Sequence, residues 1–125
     1  MRVLLDTHVA LWTFFDPALI GREATELLRD PETEIVASVV NVWEISIKRA
    51  TGKLRTPDDF PARLRRWTQE MLAVNEAHAW RVGELPRHHL DPFDRLLVAQ
   101  AQIENLPLIT HDRQLARYDI RIVRA

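Results

Sequence analysis

The chain has 125 residues, 46% of them hydrophobic, enough for one domain with a real core and little room for a second. It has no cysteine, which excludes disulfides, thiolate catalysis and thiolate zinc sites, and a net charge of -1, which argues against indiscriminate nucleic-acid binding. An acidic residue at position 6 interrupts any signal-like opening and no apolar run approaches membrane-spanning length, so a cytoplasmic setting is the default expectation.

Residues 2–5 predict a buried strand and 7–15 a helix rich in Val9, Leu11, Trp12, Phe14 and Phe15, broken by Asp16-Pro17. A second helix is expected over 21–29, then a turn at Asp30-Pro31 and a strand around 34–37. Ser38 suits the cap of the helix that follows through Val39, Val40, Trp43, Ile47 and Ala50, and Gly52 suits its end. Residues 56–69, with Pro57 and Pro61 near the start, predict one or two short amphipathic helices, and 71–74 a short strand. A helix is expected over 76–85, a loop over 86–90, and a strong helix over 92–104 dominated by Leu96, Leu97, Val98, Ala99, Ala101 and Ile103. A strand at 108–110, a helical turn at 113–118 and a closing strand at 120–123 complete the chain.

This alternation implies crossover connections, hence an α/β fold with a mainly parallel sheet covered by helices on both faces, residues 1–125 forming one domain. In such sheets the functional crevice lies beyond the carboxyl ends of the strands, and Asp6 and Asp112 each come directly after a predicted strand. Asp94 falls on the same helical stripe as Leu97, Val98 and Ala101, and Glu44 lies mid-helix with Val40 and Ile47 one turn away. Carboxylates brought together repel and raise one another's pKa unless a cation sits among them, and magnesium or manganese prefers such oxygen ligands.

Each acid also has an ordinary explanation. Asp6 and Asp112 are suited to cap the helices that follow them; Asp91 suits a cap before Pro92, with Asp94 reaching back as a capping box; Glu44 can pair with Lys48. All of these must hold together for the cluster to vanish. The histidines offer no zinc set, because His88 and His89 are adjacent and His8, His78 and His111 lie far apart; most of them are expected at the surface or at helix ends. The three glycines form no phosphate-cradling loop. Basic residues crowd positions 48–66 and 113–124, either as solvated faces or as guides for a phosphate backbone.

Leu4-Leu5-Asp6-Thr7-His8-Val9-Ala10-Leu11-Trp12, Trp43-Glu44-Ile45-Ser46-Ile47-Lys48, the run from His89-Leu90-Asp91-Pro92-Phe93-Asp94 to Ala101, and Leu108-Ile109-Thr110-His111-Asp112 resemble, in this order, the motifs of the PIN-domain ribonucleases, specifically the VapC-type toxins of toxin-antitoxin pairs. The resemblance spans essentially the whole chain. It implies a three-layer α/β/α fold and a magnesium-dependent endoribonuclease, with manganese as substitute, in which Asp6, Glu44, Asp94 and Asp112 form the acidic cluster and Thr7 and Thr110 support it. Asp6, Asp94 and Asp112 would bind the ion; Glu44 is either a further ligand through water or the group that deprotonates the nucleophile. The family's variable extra acid has no counterpart at Gln114 or Leu115, which leaves one or two ions open. The resemblance also implies an RNA substrate and a cognate antitoxin, with Trp12, Phe60 and Trp67 as apolar candidates for that partner or for a homodimer.

Two other classes fit parts of the pattern. A magnesium-dependent phosphoacceptor or phosphatase wants a paired acid near the first strand, where Asp6-Thr7-His8 offers one, and a lysine after the 108–110 strand, where none stands. A non-catalytic RNA- or protein-binding module has no need of all four acids.

Overall fold

Val3 and Leu5 point to one side of the central strand and Leu4 to the other, and all are fully buried, as expected where helices cover both faces of a sheet. The computed structural model describes residues 1–125. In chain order they form β1 (Arg2–Leu5), α1 (Thr7–Phe15), α2 (Arg22–Arg29), β2 (Glu34–Ser38) and α3 (Val39–Ala50). There follow α4 (Phe60–Trp67), β3 (Glu70–Leu72), α5 (Glu76–Glu84), α6 (Pro92–Glu104), β4 (Leu108–Thr110) and β5 (Ile122–Arg124). Short 3-10 turns occupy Pro17–Leu19 and Arg113–Arg117.

The five strands lie in the order β3-β2-β1-β4-β5 and every pair is parallel. The chain winds outward from β1 to β3, then returns to the other side of β1 for β4 and β5. The order reverses between β1 and β4, and it is beyond the carboxyl ends of the strands at such a point that sheets of this kind place a crevice for their sites. One core layer joins Leu4, Val36 and Leu108 to Leu97, Val98 and Ala101 of α6, and the other joins Val3, Leu5, Ile35 and Ile109 to α1, α2 and α4. Three layers result.

The predicted stops hold at α3, where Ser38 and Asn41 form a capping box and Gly52, at φ 74°, lets the Lys53 N–H reach back to Lys48 O at 2.9 Å. Other boundaries move. The weak strand expected at 71–74 is Glu70–Leu72, because Asn75 is spent capping α5, and the closing strand is Ile122–Arg124, in register with Leu108–Thr110. The stretch 56–69 makes one helix, and Phe60 at its start is 1% exposed, its ring 5.2 Å from that of Phe14. Phe60 is therefore core and offers nothing to a partner.

Candidate functional site

Asp6 leaves the end of β1 and turns into α1 as its cap, Oδ1 accepting from the His8 N–H at 3.0 Å. The capping role and the site role coincide, because the second oxygen, Oδ2, is free to face β4 and accepts the hydroxyl of Thr110. Thr110 Oγ1 in turn accepts the Asp112 N–H at 3.0 Å, so one hydroxyl ties the ends of β1 and β4 together. Asp112 caps the 3-10 turn through Oδ1, from the Gln114 N–H at 2.9 Å, and turns Oδ2 into the crevice.

Asp91, not Asp94, caps α6: its Oδ1 accepts from the N–H groups of Phe93 and Asp94 at 2.8 and 3.0 Å. Asp94 is left to face the rim, and no capping box holds its side chain. Glu44 is 2% exposed on α3; one oxygen takes the Lys48 ammonium at 2.5 Å, while Oε1 is closed off from water with no hydrogen-bond partner. The expected pair with Lys48 forms, yet it satisfies only half of the carboxylate. Partial burial works against the Lys48 ammonium, but the bond and charge of Glu44, helped by Asp91 and Asp94, outweigh it and raise its pKa.

The acids are close enough to disturb one another. Burial, then the charges of Asp6, Asp91, Glu44 and Asp112, push Asp94 up to about 8. Burial also raises Asp6, against the lowering bonds from Thr110 and His8, with Glu44 adding to the rise. Asp6, Glu44 and Asp112 thus all lie near enough to Asp94 for their charges to raise it. Thr110 supports Asp6 directly. Thr7 is buried but bonds no acid; its Oγ1 accepts from Asn41 Nδ2 at 3.0 Å, tying the β1–α1 junction to α3.

An all-oxygen, crowded, negative cluster with a partnerless buried oxygen has the chemistry of a seat for a hard divalent cation. A nitrogen stands beside it. His89 Nε2 lies 2.9 Å from Asp112 Oδ2 and 3.1 Å from Asp94 Oδ2, a group close enough together to hold a metal ion. His8 and His111 are exposed and His78 sits at a helix end, though fully buried, whereas His89 is neither: it lies in the loop before α6 with its side chain largely covered. The signal available was the position of His89 two residues before the α6 cap, inside a motif already singled out. Asn41, whose side chain links Leu5 O and Thr7 to α3, carried no signal beyond its place after a helix cap.

Some of the basic residues in the two stretches are neutralised or turned away from the acids. Arg49 and Arg63 pair with Asp58 and Asp59, and Arg121 lies at the opposite end of the sheet from the acids, beside Met1 and Pro107 in a cavity of about 750 Å³. Lys53, Arg55, Arg65, Arg66, Arg113 and Arg117 are exposed without ion pairs.

The PIN-domain family model matches residues 3–121. The chain belongs to the PIN-domain family. This PIN domain shares its fold with VapBC2 from Rickettsia felis, solved bound to a DNA fragment from its promoter: 17% identity, TM-score 0.72, 100% of this chain and 99% of that one covered. DNA-bound VapBC from Salmonella typhimurium is similar at 16% identity and TM-score 0.71, over 99% of this chain and 98% of that one. VapBC-5 from Mycobacterium tuberculosis, a member of the VapBC family of toxin-antitoxin systems, gives 22% and 0.62 over 99% and 98%. The search of curated proteins finds no match to this chain in sequence. The three-layer α/β/α fold expected from the sequence is the fold of these structures.

Proposed function

We propose that this PIN domain is a divalent-cation-dependent endoribonuclease and the toxin of a toxin-antitoxin pair. The observation that carries this reading is that the charges of Asp6, Glu44 and Asp112 all act on the half-buried Asp94, near the carboxyl ends of β1 and β4, with a Glu44 oxygen closed off and partnerless. Hydrolysing a phosphodiester requires charge on the phosphate to be neutralised, a water to be aligned and the departing oxygen to be stabilised. Magnesium, with manganese as substitute, supplies the positive charge and Lewis acidity for this when bound. Asp6, Asp94 and Asp112 would hold it. Thr110 keeps Asp6 aimed at the ends of β1 and β4, and Lys48 holds one oxygen of Glu44 while the other, buried and without a partner, would bind or deprotonate a water only once that water enters with the ion.

The unpaired cations Lys53, Arg55, Arg65, Arg66, Arg113 and Arg117 would guide an RNA backbone without reading its sequence. An antitoxin partner is supported by the VapBC assemblies that share the fold and by the exposed apolar stripe Val39, Trp43 and Ile47 on α3, the helix that carries Glu44. A homodimer belongs to the same proposal, and Trp12 and Trp67, both partly buried, remain candidate contacts. No helix is long and apolar enough to cross a membrane, and the cytoplasm is the proposed setting.

Incubating purified, antitoxin-free protein with mixed RNAs in magnesium, with and without chelator, tests the reading. Cleavage lost on chelation and in Asp94→Asn is expected. RNA that is bound but left intact under magnesium and manganese would overturn it in favour of a binding module, and a stable acyl phosphate formed from a small phosphodonor in favour of a phosphoacceptor.

A further inference from the structure

His89, with Asp94 and Asp112, has the composition of a mixed nitrogen and oxygen metal site, but its hydrogen bonds rule out a ligand role for its nitrogens. Nδ1 accepts the Asp91 N–H at 3.1 Å, and a ring nitrogen that accepts a hydrogen bond carries no proton. The ring proton is therefore on Nε2, the atom facing Asp112 and Asp94 at 2.9 and 3.1 Å. A protonated Nε2 has no lone pair for a cation. Moving the proton to Nδ1 would set it against the Asp91 N–H, so the backbone at the start of α6 dictates which tautomer is present.

The rest of the residue is equally constrained. The His89 N–H donates to the Tyr118 hydroxyl at 3.0 Å, and that hydroxyl donates back to His89 O at 3.3 Å. Arg95 Nη1 donates to the same carbonyl at 3.3 Å, to Pro86 O at 2.9 Å and to the Tyr118 hydroxyl at 3.2 Å, while Nη2 reaches Val82 O at 2.8 Å and Leu85 O at 3.3 Å. One guanidinium thus fastens the end of α5 and the loop before α6, and every polar atom of His89 is committed.

We propose that His89 is a positioning residue outside the cation seat: a fixed Nε2–H donor, framed by Arg95 and Tyr118, that holds Asp112 by a hydrogen bond and keeps it beside Asp94, whose Oδ2 lies 3.1 Å from the same nitrogen, at cation-binding separation. Its N–H dipole offsets part of the repulsion between the two carboxylates when both are ionised. The proposal rests on the reading of the acidic rim as a cation site, and it concerns binding of the ion, upstream of RNA chemistry.

The experiment is cation binding to the RNA-free protein, by titration calorimetry with magnesium and manganese, together with long-range proton–nitrogen correlation spectra of the imidazoles. Wild-type protein is expected to show the His89 proton on Nε2 both before and after magnesium. His89→Ala should bind either cation on the order of 10-fold more weakly while keeping its far-ultraviolet circular dichroism, and His89→Gln, whose amide can still donate, should recover part of the loss. A proton on Nδ1, nitrogen hyperfine coupling to bound manganese, or unchanged affinity in a folded His89→Ala would each overturn the clamp. If affinity responds as expected while wild-type protein cuts no RNA, the nuclease reading fails and the clamp stands. If RNA is cut and affinity ignores His89, the clamp alone fails.

Discussion

His78 and His89 each receive a backbone N–H at Nδ1, from Asn75 and Asp91 at 3.1 Å, and each turns Nε2 toward a carboxylate at 2.9 Å, Glu104 in one case and Asp112 in the other. Their surroundings separate them. His78 is fully buried between α5 and α6 and faces one carboxylate, so its bonds lock two helices together. His89 stands on the rim, faces two carboxylates and is framed by a loop that Arg95 and Tyr118 hold from behind. The same local chemistry serves packing in the interior and preorganisation at the crevice; what decides is how many charges lie across from the N–H.

The largest expected effect lies on the rim. Asp94→Asn and Asp6→Asn should each lower magnesium-dependent RNA cleavage by about a hundredfold or more, since charge stabilisation of this type is worth several kcal/mol, without loss of fold. Initial rates on a labelled RNA and circular dichroism check this, and a variant that still cuts normally removes its residue from the site. The interior histidine should behave in the opposite way. His78→Ala is expected to cost about 2 to 4 kcal/mol in denaturant unfolding, through a cavity and the stranded partners Asn75 N–H and Glu104, while cation affinity stays put. A loss below about 1 kcal/mol would erase the contrast between the two histidines.

A pH series sharpens the rim further. With cations chelated, Asp94 titrates at about 8 in the native state against a carboxylate's ordinary 3.8 when unfolded. Between those values the native state holds a proton the unfolded chain has released, so stability falls as pH rises through the window, by at most about 1.4 kcal/mol per pH unit from this group, and levels off above it. Melting in chelator from pH 5 to 8 should therefore show a steeper decline for wild type than for Asp94→Asn; parallel curves would contradict the burial and crowding assigned to Asp94. The smallest effect concerns the frame. Tyr118→Phe removes the hydroxyl that bonds both backbone groups of His89 and should cost about 1 kcal/mol and weaken magnesium binding a few-fold. Unaltered affinity in that variant would show that Arg95 suffices to hold the loop.

Much of this arrangement is written in local pattern. Alternation of Val3, Leu4 and Leu5, the helical stripes of α3 and α6, and caps at Asp6, Ser38 and Asp91 are decided within a few residues, where period and hydrogen-bond chemistry act without regard to the remainder of the chain. Four acids placed after strands or on apolar stripes could be picked out on the same grounds, because a carboxylate there needs a reason to be buried. Other features depend on partners far away in sequence. Thr110 meets Asp6 across 104 positions, Tyr118 meets His89 across 29, and neither distance leaves a periodic trace. Glu44 forms the pair that its spacing from Lys48 foretold, but that the other oxygen is buried without a partner is decided by the tertiary packing around α3. Phe60 was equally ambiguous, since an aromatic at a helix start suits core or surface until the rings of α1 close over it. Arg121 and Arg124, three apart, are carried to opposite ends of β5 by the direction of one strand. The sequence alone determined which segments become strands and helices and where acids would need company, because those are short-range matters of period, capping and desolvation. Only the folded chain decided which acids share a rim, which nitrogen of His89 faces them and which cations stand near, because those follow from sheet order and from bonds that close over long loops.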